Sequence, residues 1–218
     1  DFETQGSFLF RLGRAVYQRA ESPLSPHTHG NCTEFVFLVK GCQTYQVNGN
    51  SYRIFGGEVF TAFPWELHGT GGNPEEKTEF YYLIVDLEKV CNEGGFFYLE
   101  SEKEVLLERL SDHKYRIQRY SSWCIEICSR MIGLMEGEEP FHDSRIRCLL
   151  CELLIQLAEA PLRKESPAVV WLPRVLRYIQ DHIQENVELQ TLAGLIGLSM
   201  SSFQTGFLAG TGMPPGEY

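Results

Sequence analysis

The 218-residue sequence is short of positive charge, because 19 lysines and arginines stand against 29 aspartates and glutamates and give a formal net charge of -10. Nucleic acid binds through its phosphates, so a protein whose whole surface serves that purpose needs an excess of basic residues. The composition excludes a protein of that kind. Any contact with DNA must be confined to a local surface.

The chain also lacks a regular cysteine pattern, a secretory signal and a long apolar run. Its seven cysteines are odd in number and irregularly spaced, which argues against a disulfide framework and favours a reducing compartment. No charged start leads into an apolar core with a cleavage site, and no apolar run reaches the roughly 18 residues that span a bilayer. We therefore expect a soluble cytoplasmic protein without a membrane partner.

Residues 1–100 show the features of an all-β domain. Short runs rich in aromatic and β-branched residues are separated by turn signals, as in sandwiches and barrels. The clearest hairpin centres on Asn48-Gly49, a pair that favours the type I′ turn. Alternation along the strands predicts that a set of aromatic side chains faces the interior of a barrel, namely Phe35, Phe37, Tyr45, Phe60, Trp65 and Tyr82.

Four candidate metal ligands lie in this region. His27 and His29 are two residues apart, so their side chains point to the same face of an extended strand. Glu34 follows His29 at an odd offset, and a bend at Gly30-Asn31 is needed to bring its carboxylate to that face. His68 ends a later strand-like run. Such a set can bind a divalent metal, whereas the alternative is a group of polar residues lining a pocket for an organic ligand.

The spacing of these residues resembles the two motifs of the cupin barrel. The first motif is His-x-His, four residues, Glu, six residues and Gly, and the second is Gly-Glu-Val followed by Pro-x-x-x-His. The resemblance covers roughly the first hundred residues and implies a double-stranded β-helix, or jelly roll. It further implies that Zn, Ni, Fe or Mn is bound by His27, His29, Glu34 and His68.

Beyond residue 100 the hydrophobic period changes from two to about 3.6, which indicates helices. Ser101 with Glu104 predicts a capping box, and two further helices are expected from about Ser122 to Met135 and from about Asp143 to Ala160. In residues 101–160 this helical pair can pack one face on the barrel and offer the other to a second copy, as in a homodimer. The proline-rich residues 161–172 are predicted to be a linker.

The last part of the chain, residues 173–218, has the pattern of a helix-turn-helix. A helix is predicted to start near Pro173, and Ala193 is small where two helices would cross closely. Gly197 can adopt the positive φ of a tight turn, and Ser199 can cap the helix that follows.

The order of barrel, helical pair, linker and helix-turn-helix is similar to the AraC family of bacterial transcription regulators, an α+β architecture with a cupin that senses an effector. The resemblance includes only the first of the two helix-turn-helix units of that family, and the second is expected to be absent beyond Tyr218. It implies a reading helix from about Met200 to Ala209 with DNA contacts from Met200, Ser201, Ser202, Gln204 and Thr205. Residues 173–218 hold two arginines against four acidic residues, a net charge of -2, so we expect weak binding to DNA.

The resemblance thus implies a ligand-responsive regulator and not an enzyme. A small effector such as a sugar is expected to enter the barrel and contact Tyr45, Trp65, His27 and His29. The alternative is a metal-dependent cupin oxygenase or isomerase that uses the same four candidate ligands. An enzyme has no need of the segment after Pro173, which favours the regulator. The effector, the metal, the operator sequence and the direction of regulation stay open at this point.

Overall fold

A computed structural model describes residues 10–93, 99–137, 140–162 and 167–218. The chain divides into two compact units, Asp1–Arg163 and Lys164–Tyr218. Seven α-helices and eight strands lie in the described ranges, and all the strands belong to the first unit. The α+β class that the sequence predicts is therefore confirmed.

The first unit contains two antiparallel sheets. Their strands are β1 (Phe10–Val16), β2 (Thr33–Lys40), β3 (Cys42–Val47), β4 (Asn50–Phe55), β5 (Glu58–Ala62), β6 (His68–Gly69), β7 (Glu79–Val85) and β8 (Ile117–Arg119). The order is β1-β7-β2-β5-β8 in one sheet and β4-β3-β6 in the other. The predicted hairpin joins β3 to β4, and the φ angles of 48° at Asn48 and 86° at Gly49 are those of a type I′ turn. Strand β8 lies outside the range predicted for the β domain.

One apolar cluster lies between the two sheets and a second lies between the larger sheet and the helices. The first contains Val36, Leu38, Tyr45, Val47, Ile54, Phe60 and Ala62. Phe35 and Phe37 belong to the second cluster, together with apolar residues of the helices. Both rings are buried, but the prediction that they face the interior of the barrel, between the two sheets, is wrong. Strand β2 is buried on both faces, so its sequence shows no polar alternation from which the inward face can be read.

Four helices complete the first unit: α1 (Leu87–Glu93), α2 (Glu100–Ser111), α3 (Ser122–Met135) and α4 (His142–Glu159). Helix α3 has the predicted bounds, and α4 starts and ends within one residue of them. The predicted capping box at Ser101 is wrong, because α2 begins at Glu100 and its N-cap is Leu99. The backbone N–H of Leu99 donates to the Glu102 carboxylate over 3.2 Å. A glutamate three residues after the N-cap therefore still accepts the hydrogen bond of the N-cap N–H, as in a capping box.

The second unit is formed by α5 (Pro167–Asp181), α6 (Leu189–Leu195) and α7 (Met200–Thr211). Helix α5 begins at Pro167 and includes Pro173, so the predicted linker, residues 161–172, is too long. A proline fits the first turn of a helix because the N–H that it lacks would have no partner there, and a run of prolines can therefore mark a helix start. Residues 163–166 of that predicted linker lie outside the described ranges.

The helix-turn-helix follows the sequence prediction closely. Gly197 has a φ of 68°, and the Ser199 hydroxyl accepts a hydrogen bond from the Ser202 N–H over 3.2 Å at the start of α7. Ala193 is 3% exposed. In the described residues no single helix has the length and apolar character of a membrane span, and only α6 with α7, bent by 88°, passes that test as a pair.

Candidate metal centre

The four predicted ligands converge on one point of the first unit. A pair of backbone hydrogen bonds joins His27 to His68, with N···O distances of 2.9 and 3.0 Å, so the segment before β2 lies alongside the start of β6. Gly30 has a φ of 61° and provides the expected bend, which brings His29 and Glu34 to the same side. One ligand atom from each of the four side chains lies within 4.8 Å of those from the other three.

The carboxylate of Glu34 is the centre of this cluster. Its Oε2 lies 2.9 Å from His68 Nε2 and 3.6 Å from His29 Nε2. The His27 ring is 4.9 Å from that of His29 and 4.5 Å from that of His68, measured between centroids. The side chain of His68 is only 2% exposed, while those of His29 and Glu34 are 14% and 12% exposed. The cluster is therefore largely shielded from bulk water, while His29 and Glu34 keep a small exposed fraction.

Backbone carbonyl groups orient two of the imidazoles. Nδ1 of His27 lies 3.0 Å from the Ser25 carbonyl oxygen, and Nδ1 of His68 lies 3.0 Å from that of Glu66. A carbonyl oxygen only accepts, so each Nδ1 carries a proton and donates. In the neutral rings the lone pair is then on Nε2, and a hydrogen bond of this type is what commonly orients a metal-binding histidine.

The charges inside the cluster are strongly coupled. Burial by itself would raise the pKa of Glu34, but the hydrogen bond from His68 and the adjacent His29 imidazole outweigh it and lower this pKa to about 2. Burial would lower the pKa of His68, yet the Glu34 carboxylate outweighs it and raises that pKa. The Glu34 carboxylate thus favours the protonated form of His68, and a metal at His68 Nε2 would compete with that proton.

One nitrogen of the cluster is left unsatisfied. His29 Nε2 is buried and has no hydrogen-bond partner in the part of the chain that the structure describes. A buried polar atom in this condition costs about 1–3 kcal/mol, so a native structure is expected to give it a function. Three imidazole nitrogens and one carboxylate oxygen suit a divalent transition metal such as Zn, Ni, Fe or Mn. The residues present therefore fit such an ion.

The two aromatic residues predicted to contact an effector lie in different environments. Tyr45 is 4% exposed and stacks on Phe60 between the sheets, with ring centroids 4.7 Å apart and planes at 9°. Trp65 is 71% exposed, so the prediction that it lines an interior pocket is wrong. Its φ of 63° turns its side chain outward, and its N–H donates to the Gly30 carbonyl over 2.8 Å. Trp65 thus contributes to the site through its backbone, which fixes the bend beside His29.

The residues expected to contact DNA lie together at the start of α7. Ser201, Ser202, Gln204 and Thr205 are exposed there, and Met200 is half-buried. The hydroxyl of Ser202 accepts a hydrogen bond from the Ser199 hydroxyl over 2.9 Å, so one acceptor position of Ser202 is already occupied at the start of the helix. This surface is polar and uncharged, and the two arginines of the unit lie on α5.

Sequence reasoning missed two residues that support this cluster without being candidate ligands themselves. Glu66 and Arg116 form a buried ion pair beside the loop that carries His68, with the closest N···O distance at 2.6 Å. Arg116 is separated from Glu66 by fifty positions and precedes a strand of only three residues. A Pro-x-Glu-x-His stretch signals the loop, but no local pattern connects it to that arginine.

The chain is similar to some solved structures at low sequence identity. No protein-family model matches the chain, and no curated protein matches it. Among solved structures, the chain is similar to ToxT from Vibrio cholerae over 97% of this chain and 98% of that one, with 10% identity and a TM-score of 0.41. It is also similar to the AraC-like transcriptional activator CuxR, over 92% of this chain and 70% of that one, with 12% identity and a TM-score of 0.38.

A third likeness is to KdgF from Halomonas sp., over 35% of this chain and 68% of that one, with 19% identity and a TM-score of 0.31. None of these three TM-scores reaches 0.5, so these likenesses assign no function to the chain. The residues of this chain define a two-unit α+β protein that combines two antiparallel sheets, a candidate metal centre and a helix-turn-helix.

Proposed function

We propose that this chain is a ligand-responsive transcription regulator of the AraC type. Its first unit is a cupin-type jelly roll that binds a divalent metal and a small effector, and its second unit contacts DNA. The observation that supports this proposal is the presence, in one chain, of a shielded three-histidine, one-glutamate cluster and a helix-turn-helix.

The metal would be held by His27, His29, Glu34 and His68. The ion would supply a Lewis-acidic position for oxygen atoms of an effector, because a six-coordinate metal with four protein ligands keeps sites open. Arg11 adds positive charge at the rim, where its Nη2 lies 3.5 Å from His29 Nδ1, longer than an ordinary hydrogen bond. An oxygen-rich effector, such as a sugar, suits these surroundings.

Helix α7 would read the DNA. Short hydroxyl and amide side chains such as Ser201, Gln204 and Thr205 are exposed along its first turns, and side chains of these types hydrogen-bond to base edges in the major groove. Phosphate contacts supply most nonspecific affinity, and the exposed Arg174 and Arg177 of α5 are the only basic residues in 173–218. The affinity of this unit for DNA should therefore be low and should depend on base contacts.

The proposal includes a homodimer in the cytoplasm. Helices α3 and α4 bury one face on the larger sheet, through residues such as Ile127 and Leu150. Their other faces leave large apolar side chains accessible, including Trp123 at 39% and Ile155 at 37% exposure. A second copy would cover such side chains.

The second candidate is a metal-dependent cupin oxygenase or isomerase. The observation in its favour is that all four donors are present and that His29 Nε2, which lies 3.6 Å from the Glu34 carboxylate, has no hydrogen-bond partner in the described residues. The helix-turn-helix is the feature that this candidate leaves without a use.

The regulator is tested by selection of random DNA duplexes on the immobilised chain at low salt, with and without added Zn²⁺ or Mn²⁺. We expect one sequence motif to be enriched by the native chain and by Gln180→Ala, which changes an exposed glutamine of α5, and to be lost with Gln204→Ala in α7. If native protein enriches no motif under either condition, or if Gln204→Ala enriches the same one, the proposal is refuted.

A further inference from the structure

The loop that carries His68 is closed by Glu66. The Glu66 carbonyl oxygen accepts the hydrogen bond from His68 Nδ1 over 3.0 Å. The carboxylate of the same residue accepts a hydrogen bond from the backbone N–H of Phe63 over 2.9 Å. Glu66 therefore fixes the loop at its start and orients the imidazole at its end.

Arg116 holds this carboxylate from the other side. Its Nη1 donates to Glu66 Oε2 over 2.7 Å and its Nη2 donates to Glu66 Oε1 over 2.6 Å, while Nη1 also donates to the Thr61 carbonyl over 3.0 Å. The guanidinium lies near the rings of Tyr52 and Phe63, at 5.0 and 4.9 Å from their centroids. The two charged side chains are 8% and 10% exposed. A planar guanidinium held in this way fixes both carboxylate oxygens, which a lysine cannot do.

We propose that Arg116 is a positioning residue for the metal ligand His68 and that it acts through Glu66. This inference rests on the metal site of the proposed function. A metal-bound histidine needs a fixed acceptor for its second nitrogen. Here the acceptor is a backbone carbonyl, so its place depends on the side-chain contacts that hold the peptide of Glu66, and Arg116 supplies two of them.

A purely structural ion pair would stabilise the fold without affecting the metal. The chain offers a matched pair for comparison, because Arg53 also binds the Glu76 carboxylate through both Nη atoms. Arg53 also donates to Thr44 Oγ1 and Cys42 Sγ, both in β3. The side chains of Arg53 and Glu76 are 25% and 13% exposed, so this pair is also largely shielded.

The test is a titration of metal-free native chain, Arg116→Lys, Glu66→Gln and Arg53→Lys with Co²⁺ alone. The visible absorption of Co²⁺ reports the arrangement of the ligands, and competition with a chelator gives the dissociation constant. We expect Arg116→Lys and Glu66→Gln each to weaken Co²⁺ binding about tenfold, at the low end of the 10–100-fold seen for partners of metal-bound histidines, and to alter the absorption spectrum. Arg53→Lys should match the native chain in both measurements.

Unchanged affinity and spectrum in Arg116→Lys would overturn the inference, as would an equal loss in Arg53→Lys. If Arg116→Lys does not fold, as judged by circular dichroism, Glu66→Gln decides by the same criteria. Absence of Co²⁺ binding by the native chain would instead refute the metal site of the proposed function, and the positioning role with it. The outcomes for the native chain and for the variant thus separate the two proposals.

Discussion

Replacement of His29 by alanine should remove the response of the first unit to metal while changing the metal-free protein little. His29 Nε2 is buried without a hydrogen-bond partner in the described residues. Truncation loses the packing of the ring but also removes an unsatisfied atom that costs about 1–3 kcal/mol. We expect these effects to offset each other, so that the free energy of unfolding of the metal-free variant stays within about 1 kcal/mol of native.

The loaded native protein should differ clearly from this variant. A metal that binds only the folded state stabilises it by about 2.7 kcal/mol when its free concentration is 100 times the dissociation constant. For a unit of this size, 1 kcal/mol raises the melting temperature by about 2–4 °C, so the native shift should be about 5–11 °C. His29→Ala removes one of four donors, and its shift should be close to zero.

Differential scanning calorimetry of chelator-treated protein, with and without Mn²⁺, Co²⁺, Ni²⁺ or Zn²⁺, measures these shifts. The control is His142→Ala at the start of α4, where the imidazole lies 3.3 Å from Asp143. This variant should show the native response. The reasoning is refuted if none of the four ions shifts the native transition, or if His29→Ala shifts as far as native.

Three further predictions concern pH, backbone strain and DNA. The Glu34–His68 pair should stabilise the metal-free chain above the ordinary glutamate pKa of 4.5, since the pKa of Glu34 is lowered, and below the ordinary histidine pKa of 6.5, since that of His68 is raised. The difference in unfolding free energy between native and Glu34→Gln, from urea titrations, should therefore be largest between those two pH values, and a flat difference contradicts the pairing. Gly41 and Gly49 have φ angles of 88° and 86°, but only at Gly41 would a Cβ meet a backbone carbonyl oxygen, at 2.4 Å. In urea titrations Gly49→Ala should cost about 1–3 kcal/mol and Gly41→Ala clearly more, and equal costs would show that the contact is relieved without strain. Thr205→Lys should tighten binding to DNA and make the salt dependence steeper by about one unit of slope in fluorescence anisotropy, whereas no change would place α7 away from the phosphates.

Features set by local chemistry could be read directly from the sequence. The hairpin at Asn48-Gly49 needs positive φ at both residues, and few other pairs adopt it readily. Helix α3 has the predicted bounds, and Gly197 and Ser199 have the predicted conformation and hydrogen bond in the helix-turn-helix. In each of these cases the signal lies within a few residues of the structure that it specifies.

Features set by tertiary packing were not accessible in the same way. Strand β2 is covered by the smaller sheet on one face and by helices on the other, so the inward direction of Phe35 and Phe37 could not be read from alternation. Strand β8 has three residues, too few for a period to emerge, and its place in the sheet depends on pairing with β5. The start of α5 at Pro167 was hidden because a proline run is also typical of a linker.

The same distinction between local sequence and tertiary packing applies to the candidate site. The convergence of His27, His29 and Glu34 follows from two short spacings and a glycine bend, and the structure adds His68 through its backbone pairing with His27. The outward position of Trp65 depends on its positive φ, a conformation that sequence rarely signals for a tryptophan. The ion pair between Arg116 and Glu66 joins positions fifty residues apart, and no periodicity in the sequence predicts that these two residues meet.

Hydrogen bonds within the protein would act in two opposite ways on the affinity of the proposed site for a metal. The backbone hydrogen bonds between His27 and His68 and the carbonyl partners of their Nδ1 atoms orient two imidazoles, which would favour binding. The bond between Glu34 and His68 would act in the opposite direction, because it favours the proton on Nε2 that a metal would have to replace. The orientation of the rings would therefore strengthen binding, while competition with this proton would weaken binding as the pH falls. Binding that weakens in this way would suit the proposed regulator, which must both bind and release its ligand.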